Sequence, residues 1–342
     1  MKNLKDILYN VSVNEVYGST DVLINTINFD SRLIKLNDVF VAIIGVESDG
    51  HDYIEKAQKK GATVIICEVL PLNRVDGLTY VVVENTKSAL AHMASNYFDN
   101  PSSKLQLVGV TGTNGKTTVA SLANELFTRA GYKSGLISTV KILIANKTYK
   151  STHTTPDSLT INSYLNKMVK AKVTHCFMEV SSHGIHQKRT EGLHFKGGVF
   201  TNLSQDHLDY HHTFKEYRDV KKLFFDTLPK TAFALINCDD KNGEVMVQNT
   251  KAKIYRYALK SPADFKGKIL ENSLEGLLFS INNNELWSQL IGTFNAYNLV
   301  AVYGIASLLE LDKLDTLRIM STLESVKGRF QCSVLDNKIT LI

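Results

Sequence analysis

The 342 residues, 44% hydrophobic and 21% charged, suffice for two or three domains with full cores, which excludes a disordered or low-complexity chain. The net charge of +5 comes from dispersed lysines and arginines, so it suits anionic small molecules as well as nucleic acid and selects neither. Cys67, Cys176, Cys238 and Cys332 are spaced too widely for a zinc framework or a redox pair, the N-terminus has no apolar signal core, and no apolar run approaches the ~20 residues of a membrane span. The expectation is a cytoplasmic protein with reduced thiols and no membrane partner.

Residues 1 to about 100 predict a first α/β domain. Strands are expected at 22–27, 38–44, 62–67 and 80–83, with helices at 53–60 and 86–98. Their alternation implies a largely parallel sheet. Two loops follow strands, Asp30-Ser31-Arg32 and Gly45-Val46-Glu47-Ser48-Asp49-Gly50, where open α/β sheets bind ligands. Turn chemistry accounts for Gly and Asp there equally well. The breaker Asp99-Asn100-Pro101-Ser102-Ser103 marks a boundary, giving a first domain of 1–103.

A second domain, 104–330, opens on the apolar run 105–110 and the turn Thr111-Gly112-Thr113-Asn114-Gly115-Lys116-Thr117-Thr118, followed by a helical pattern through Phe127. Strand, glycine-rich turn and helix N-terminus make a phosphate cradle, although Val110 stands where the strict phosphate-loop pattern has its first glycine. Backbone N–H groups from Gly112 to Thr117 would converge on an anion, Lys116 would reach the outer phosphates, and the Thr117 hydroxyl would ligate Mg²⁺. Further strands are expected at 135–140, 173–178, 198–201, 232–236, 254–257 and 277–281, and helices after Asp157, at 217–225 and at 299–309.

Several polar stretches in this domain stay open to two readings. Glu179 ends a buried strand, where it would hold magnesium or polarise water, or else cap a turn. In Asn202 to His212 three histidines and two aspartates stand within seven residues. Without cysteine support, zinc fits them less well than an oxygen-rich magnesium site with one histidine, or a solvated polar loop. Lys221 and Lys222 form a solvated helix face or something sharper. Asn295 and Asn298, three apart on one helix face, can read an adenine edge, and Asn295 can also cap the helix.

Taken together these stretches resemble the Mur ligases, ATP-dependent amide-forming enzymes of peptidoglycan synthesis. The residues carrying the resemblance are D-S-R at 30–32, T-G-T-N-G-K-T-T at 111–118, T-T-P-D at 154–157, E-V-S-S-H-G at 179–184 and Q-x-R at 187–189. They continue with F-T-N-L-x-x-D-H-L-D-Y-H at 200–211, Lys221, G-x-F-N-x-Y-N at 292–298 and G-R-F at 328–330. E-V-S-S-H-G followed by D-H-L-D-Y-H looks most like the member that adds the third residue of the stem peptide.

The resemblance implies a small N-terminal α/β domain that binds the UDP end of UDP-N-acetylmuramoyl-L-alanyl-D-glutamate, followed by a P-loop-type, mostly parallel α/β ATPase domain. Ser31, Val46, Glu47 and Ser48 match uridine-side positions. Thr154, Thr155, Ser181, Gln187 and Arg189 match positions that hold the muramoyl-dipeptide, and His153 departs from the Asn of some relatives. The ATP set is Gly112, Thr113, Asn114, Gly115, Lys116, Thr117, Thr118, Asn295, Asn298 and Arg329. Thr117, Glu179 and His207 match magnesium ligands, and Lys221 matches a lysine that reacts with CO₂ to form a carbamate, a further metal ligand. Lys116, His207 and Lys221 are then the catalytic set. An unmodified Lys221 ammonium on phosphate is the alternative.

The partners implied are the UDP-dipeptide and an amino acid, diaminopimelate or lysine, on a monomer, with no nucleic acid. The family pattern places a third, Rossmann-like domain after about Gln331, so residues 331–342 are expected to be its start and the domain itself absent. Binding without ligation is the expectation for such a chain. Competing readings are a non-catalytic nucleotide-binding remnant and a folylpolyglutamate-synthetase-like ligase, the latter disfavoured by the D-S-R domain.

Overall fold

The computed structural model describes residues 1–46, 48–206, 208–326, 328, 332–335 and 338–341. The chain forms two compact units, the first from residues 1–101, 156–166 and 187–193, the second from 102–155, 167–186 and 194–342. The sequence reading draws its first boundary near residue 103, whereas the structure groups two later returns of the chain with the first unit.

In the first unit, the described residues form a five-stranded sheet in the order Val13–Tyr17, Thr79–Val83, Ala62–Cys67, Asp38–Val41, Ile27–Asn28. Four strands are parallel, and the edge strand Val13–Tyr17 is antiparallel. Val39, Val41, Val64, Ile66, Val81 and Val83 fill one face against Leu90 and Met93 of the helix Thr86–Tyr97. Phe40, Ile65 and Tyr80 fill the other against Ala57 of the helix Ile54–Lys59. Burial of both faces is why these strands read as unbroken apolar runs. The strand expected at 22–27 is two pieces. Leu23–Ile24 pairs with Lys2–Asn3, and Ile27–Asn28 joins the sheet. Between them the Asn25 N–H donates to the Asn37 carbonyl at 2.7 Å and its side-chain amide to Asp38, which bends the chain away from one ladder.

The second unit is built on an eleven-stranded sheet, counted among the described residues. Seven neighbours are parallel, in the order Ser134–Ile137, His175–Glu179, Gln106–Thr111, Gly197–Phe200, Phe233–Asn237, Lys253–Ala258, Phe265–Asn272. Antiparallel strands extend both edges, Ile142–Ile144 and Lys147–Tyr149 on one side, Leu277–Ile281 and Asn284–Ser288 on the other. From the central strand Gln106–Thr111 the chain first moves to one side, returns to fill the place beside it, and then crosses to the other. That reversal opens a crevice at the carboxyl ends of the central strands.

The helices Lys116–Arg129 and Thr293–Leu308 pack side by side, and Val119, Leu122, Leu126, Leu299, Val300 and Ile305 join the core. The helix Phe214–Asp226 packs on the sheet through Phe224, which meets the central strand at Gly109. A Cβ at Gly109 would lie 2.6 Å from the Phe224 ring, 2.9 Å from Phe195 and 3.0 Å from Val180. The missing side chain therefore sets how closely this helix, which carries Lys221, approaches the strand that feeds the phosphate loop.

Gly109→Val is expected to destabilise the protein by about 1–3 kcal/mol through overpacking. Urea unfolding should show a lower midpoint at unchanged slope, and an unchanged midpoint would mean that the helix is not held by this contact.

Candidate active site

The phosphate loop lies at the carboxyl end of the central strand. Gly115 adopts φ 86° and caps the helix Lys116–Arg129 without a side-chain bond, so the cap takes up none of the N–H groups of the first turn. Gly112 adopts φ 146°, and a Cβ there would fall 2.0 Å from Thr201 Oγ1. The loop is braced from the neighbouring strand end. Thr201 Oγ1 donates to the Asn114 carbonyl at 2.6 Å, the Asn202 carbonyl accepts from Thr113 N at 2.8 Å, and Asn202 Oδ1 accepts from Asn114 N at 3.0 Å.

Two lysines meet at this loop. Lys116 Nζ donates to the carbonyls of Gly112 and Thr113 at 2.9 and 2.7 Å. Lys221 Nζ, from the helix Phe214–Asp226, donates to the same Gly112 carbonyl at 2.9 Å and lies 4.7 Å from the Tyr217 ring centre. Lys221 is 1% exposed. Burial, and then the neighbouring Lys116 charge, hold its ammonium well below the ordinary lysine range, against a smaller opposing effect of Asp206. The solvated-face reading fails for Lys221, and it does not describe Lys222 either, whose largely buried side chain pairs with Asp226 at 2.7 Å.

Glu179, the last residue of its strand, is fully buried. Thr117 Oγ1 donates to its Oε2 at 3.0 Å and Thr139 N to its Oε1 at 2.8 Å. Burial pushes its carboxyl above the usual range, and the Thr139 N–H, Lys116 and Thr117 pull it part of the way back. Thr155 Oγ1 donates to the Glu179 carbonyl at 2.9 Å and accepts from Ser181 N, and the Thr154 hydroxyl accepts from Thr139 at 3.0 Å. Thr117 and Thr139 thus hold the Glu179 carboxylate, while Thr155 holds its main-chain carbonyl and Thr154 holds Thr139. Ser181 Oγ also accepts from Gly184 N at the start of the helix Ser182–His186.

Beside the loop is a cleft of about 690 Å³, lined by Asn114, Gly115, Thr118, Asn295 and Asn298 with Asp239 and Tyr297. Asn295 does not cap its helix: Gly292 is the cap residue, and Asn295 Nδ2 donates back to the Ile291 carbonyl at 2.9 Å. Asn298 Nδ2 donates to Asn295 Oδ1 at 3.1 Å, which fixes the orientation of both amides. Asp239, which the motifs did not single out, accepts from the N–H groups of Leu259, Lys260 and Ser261 and from the Tyr297 hydroxyl. Tyr217 was also missed. Its hydroxyl shares a 3.1 Å hydrogen bond with Thr113, and its spacing of four from Lys221 on one helix was the available signal.

In the first unit, Ser31, Val46 and Ser48 line a cleft of about 560 Å³ together with Gln187 and Arg189. Arg189 donates to Gln187 Oε1 at 2.7 and 3.1 Å. Asp30 accepts from Arg32 N and its guanidinium, which holds its carboxyl down at about 2. That loop is an Asx turn, and it also lines the wall of the cleft. Thr154, Thr155 and Ser181 belong to the second unit. Glu47, His207 and Arg329 lie outside the described residues.

Residues 110–306 match the Mur ligase middle domain, and residues 23–98 match the Mur ligase family catalytic domain. A UDP-N-acetylmuramoyl-L-alanyl-D-glutamate–2,6-diaminopimelate ligase of Cytophaga hutchinsonii is 51% identical over 340 residues, covering 99% of this chain and 70% of the relative. The ligase of the same name from Phocaeicola vulgatus is 52% identical, covering 96% of this chain and 68% of the relative. A solved structure of a UDP-N-acetylmuramoyl-L-alanyl-D-glutamate–2,6-diaminopimelate ligase superimposes with a TM-score of 0.85 at 25% identity, over 99% of this chain and 70% of that one. With the middle-domain match spanning more than half of the sequence, the chain belongs to the Mur ligase family.

Proposed function

We propose that this chain carries the nucleotide and UDP-substrate sites of an ATP-dependent ligase that joins diaminopimelate to UDP-N-acetylmuramoyl-L-alanyl-D-glutamate. The observation that carries the reading is the convergence of Lys116 and buried Lys221 on one carbonyl of the phosphate loop. The names of the relatives support the choice of diaminopimelate over lysine.

ATP is a substrate in this reading. Its adenine fits the cleft of Asn295 and Asn298, and its outer phosphates fit the loop N–H groups and Lys116. A carboxylate of the UDP-dipeptide attacks the γ-phosphorus and ADP leaves. The amine then attacks the resulting acyl phosphate and expels inorganic phosphate. The chain's contribution to the first step is positioning and charge neutralisation. Thr117 and Glu179 offer the hard oxygen donors that Mg²⁺ takes, and His207 is proposed beside them. The buried Glu179 carboxyl, drawn above its usual range, fits a site completed by a divalent cation. When bound, that ion would neutralise phosphate charge.

Lys221 suits the carbamate role because its buried surroundings disfavour the ammonium form and so favour the free amine that the reaction consumes. The nitrogen lone pair adds to the carbon of CO₂, one N–H proton leaves, and the product is an N-carboxylate. The group beside Lys116 then becomes an anion, which the Lys116 ammonium attracts across the Gly112 carbonyl. In the first unit, Ser31, Val46, Ser48, Gln187 and Arg189 are proposed to take the UDP-dipeptide, with Arg189 on an anionic group. Nothing in this reading requires nucleic acid.

Diaminopimelate-dependent phosphate release from ATP and UDP-dipeptide is the direct test. A version of full family length should show it, while Lys221→Ala and Lys221→Arg in that version should lose it, since neither can form the carbamate. Release by the Arg variant would remove the carbamate from the scheme. Lys116→Ala should abolish the stabilisation by ATP, which linkage sets at about 2.7 kcal/mol for a hundredfold excess over the dissociation constant. Equal melting shifts in parent and variant would overturn the phosphate-loop role.

Lys221 also predicts a pH signature in CO₂-free buffer. Its folded pKa lies below its unfolded one, so between the two values the unfolded chain binds the extra proton. Stability therefore rises with pH through that window, by up to about 1.4 kcal/mol per unit. Lys221→Met should be more stable than the parent near neutrality, and the gap should close towards pH 10.5. A constant gap in urea unfolding would show that the lysine is not held neutral.

A further inference from the structure

The lining of the first unit's cleft includes a turn bearing Gly45, Val46 and Ser48, and it includes Lys87 and Leu90 of the helix Thr86–Tyr97. His51 and Glu68 are not among the lining residues, yet hydrogen bonds run through them from the turn to the helix.

The parallel ladder between Asp38–Val41 and Ala62–Cys67 reaches its end where Ala42 N donates to the Ile66 carbonyl at 2.8 Å. In a regular parallel ladder the Glu68 N–H would go on to the Ala42 carbonyl. It goes instead to His51 Nε2 at 2.9 Å, and the Val69 N–H reaches the same nitrogen at 3.2 Å. The chain leaves the sheet at Ile43 and makes a turn in which Gly45 N donates to the Ser48 carbonyl. It comes back through Gly50, whose N–H donates to the Ile43 carbonyl. A Cβ at Gly50 would fall 2.5 Å from Ile43 N, so the returning segment lies directly on the departing one. The imidazole therefore stands in for the next carbonyl of the sheet.

A backbone N–H can only donate, so two of them at Nε2 leave the ring's proton on Nδ1. Nδ1 donates it to Asp49 Oδ1 at 2.6 Å, and the same oxygen accepts from His51 N. Asp49 in turn pairs with Ile44 across the base of the turn. One ring thus ties the turn that carries Val46 and Ser48 to the main chain at Glu68. The Glu68 side chain carries the connection onward: its Oε1 accepts from Thr86 N and from Thr86 Oγ1, both at 2.8 Å, at the first residue of the helix that bears Lys87 and Leu90. Closing a strand end would need the bond to His51 alone. The bonds from Glu68 to the helix join two parts of one cleft. Resting on the reading of this cleft as the UDP-dipeptide site, we propose that His51 and Glu68 are positioning residues for that substrate. They hold the turn and the helix at the separation the ligand spans, and neither touches it.

The test is calorimetric titration of the full chain with UDP-N-acetylmuramoyl-L-alanyl-D-glutamate. His51→Ala and Glu68→Ala should each weaken binding about tenfold, the worth of one ordinary hydrogen bond. His51→Asn, a gentler change that keeps a donor for Asp49 and loses the acceptor for Glu68, should match His51→Ala. Glu68→Gln keeps Oε1 as an acceptor and should restore most of the affinity lost in Glu68→Ala. Because both side chains act through residue 68, the double alanine variant should lose less than the product of the two single effects. The melting shift produced by ATP should be the same in every variant. With the parent binding, unchanged affinity in the His51 and Glu68→Ala variants would overturn the proposal. So would a Gln variant as weak as the Ala variant, or single effects that multiply in the double variant. A parent that does not bind the UDP-dipeptide would overturn the reading of the cleft, and the proposal with it.

Discussion

The second unit depends on one carbonyl oxygen that accepts from two lysines. Gly112 takes Lys116 from its own loop and Lys221 from a helix on the sheet face, with the second amine almost wholly removed from water. Burying an amine beside a carbonyl, an aromatic face and a second lysine charge disfavours its protonated form. The surroundings of Lys221 are built to keep it there. Phe224 seats its helix against Gly109, and Tyr217 ties the same helix to the loop through Thr113. The chemical consequence of that packing is a lysine held well below its ordinary range.

Glu179 shows the complementary arrangement across the loop. Its carboxylate is buried, and a backbone N–H, the Lys116 charge and hydroxyls offset only part of the cost of that burial. A buried acid and a buried base, each pushed towards its neutral form, flank the same glycine-rich turn. Pairs of this kind mark sites that handle charged substrates, because the energy withheld from the empty site is available to bind them.

Much of this was legible in the sequence because local chemistry and pattern agreed. Strand 62–67 and strand 277–281 were read at their exact limits from apolar runs bounded by turn signals. The phosphate loop was read from its glycines and its flanking strand and helix. What escaped were features decided by distant partners. The strand at 22–27 was split by hydrogen bonds from Asn25 to the chain at Asn37 and Asp38. The edge strand Val13–Tyr17 is mostly exposed, so it lacks the apolar run that revealed its neighbours. Asn295 looked like a helix cap because caps are recognised by residue type, yet Gly292 ends the turn and frees the amide to orient Asn298. Asp239 carries no motif at all, and its role comes from three backbone N–H groups some twenty residues away.

The order of strands in the second sheet also fixes when the site can exist during synthesis. The central strand and its loop leave the ribosome first, but their walls come much later. The bond from Thr117 to Glu179 spans 62 residues, that from Thr201 to the Asn114 carbonyl spans 87, and that from Lys221 to Gly112 spans 109. Each is a long loop closure, of the sort that slows folding and delays the parts depending on it. A nascent chain that has reached residue 200 therefore holds a glycine turn with no bracing and no second lysine. The surroundings of the loop are therefore complete only once the chain has passed residue 221.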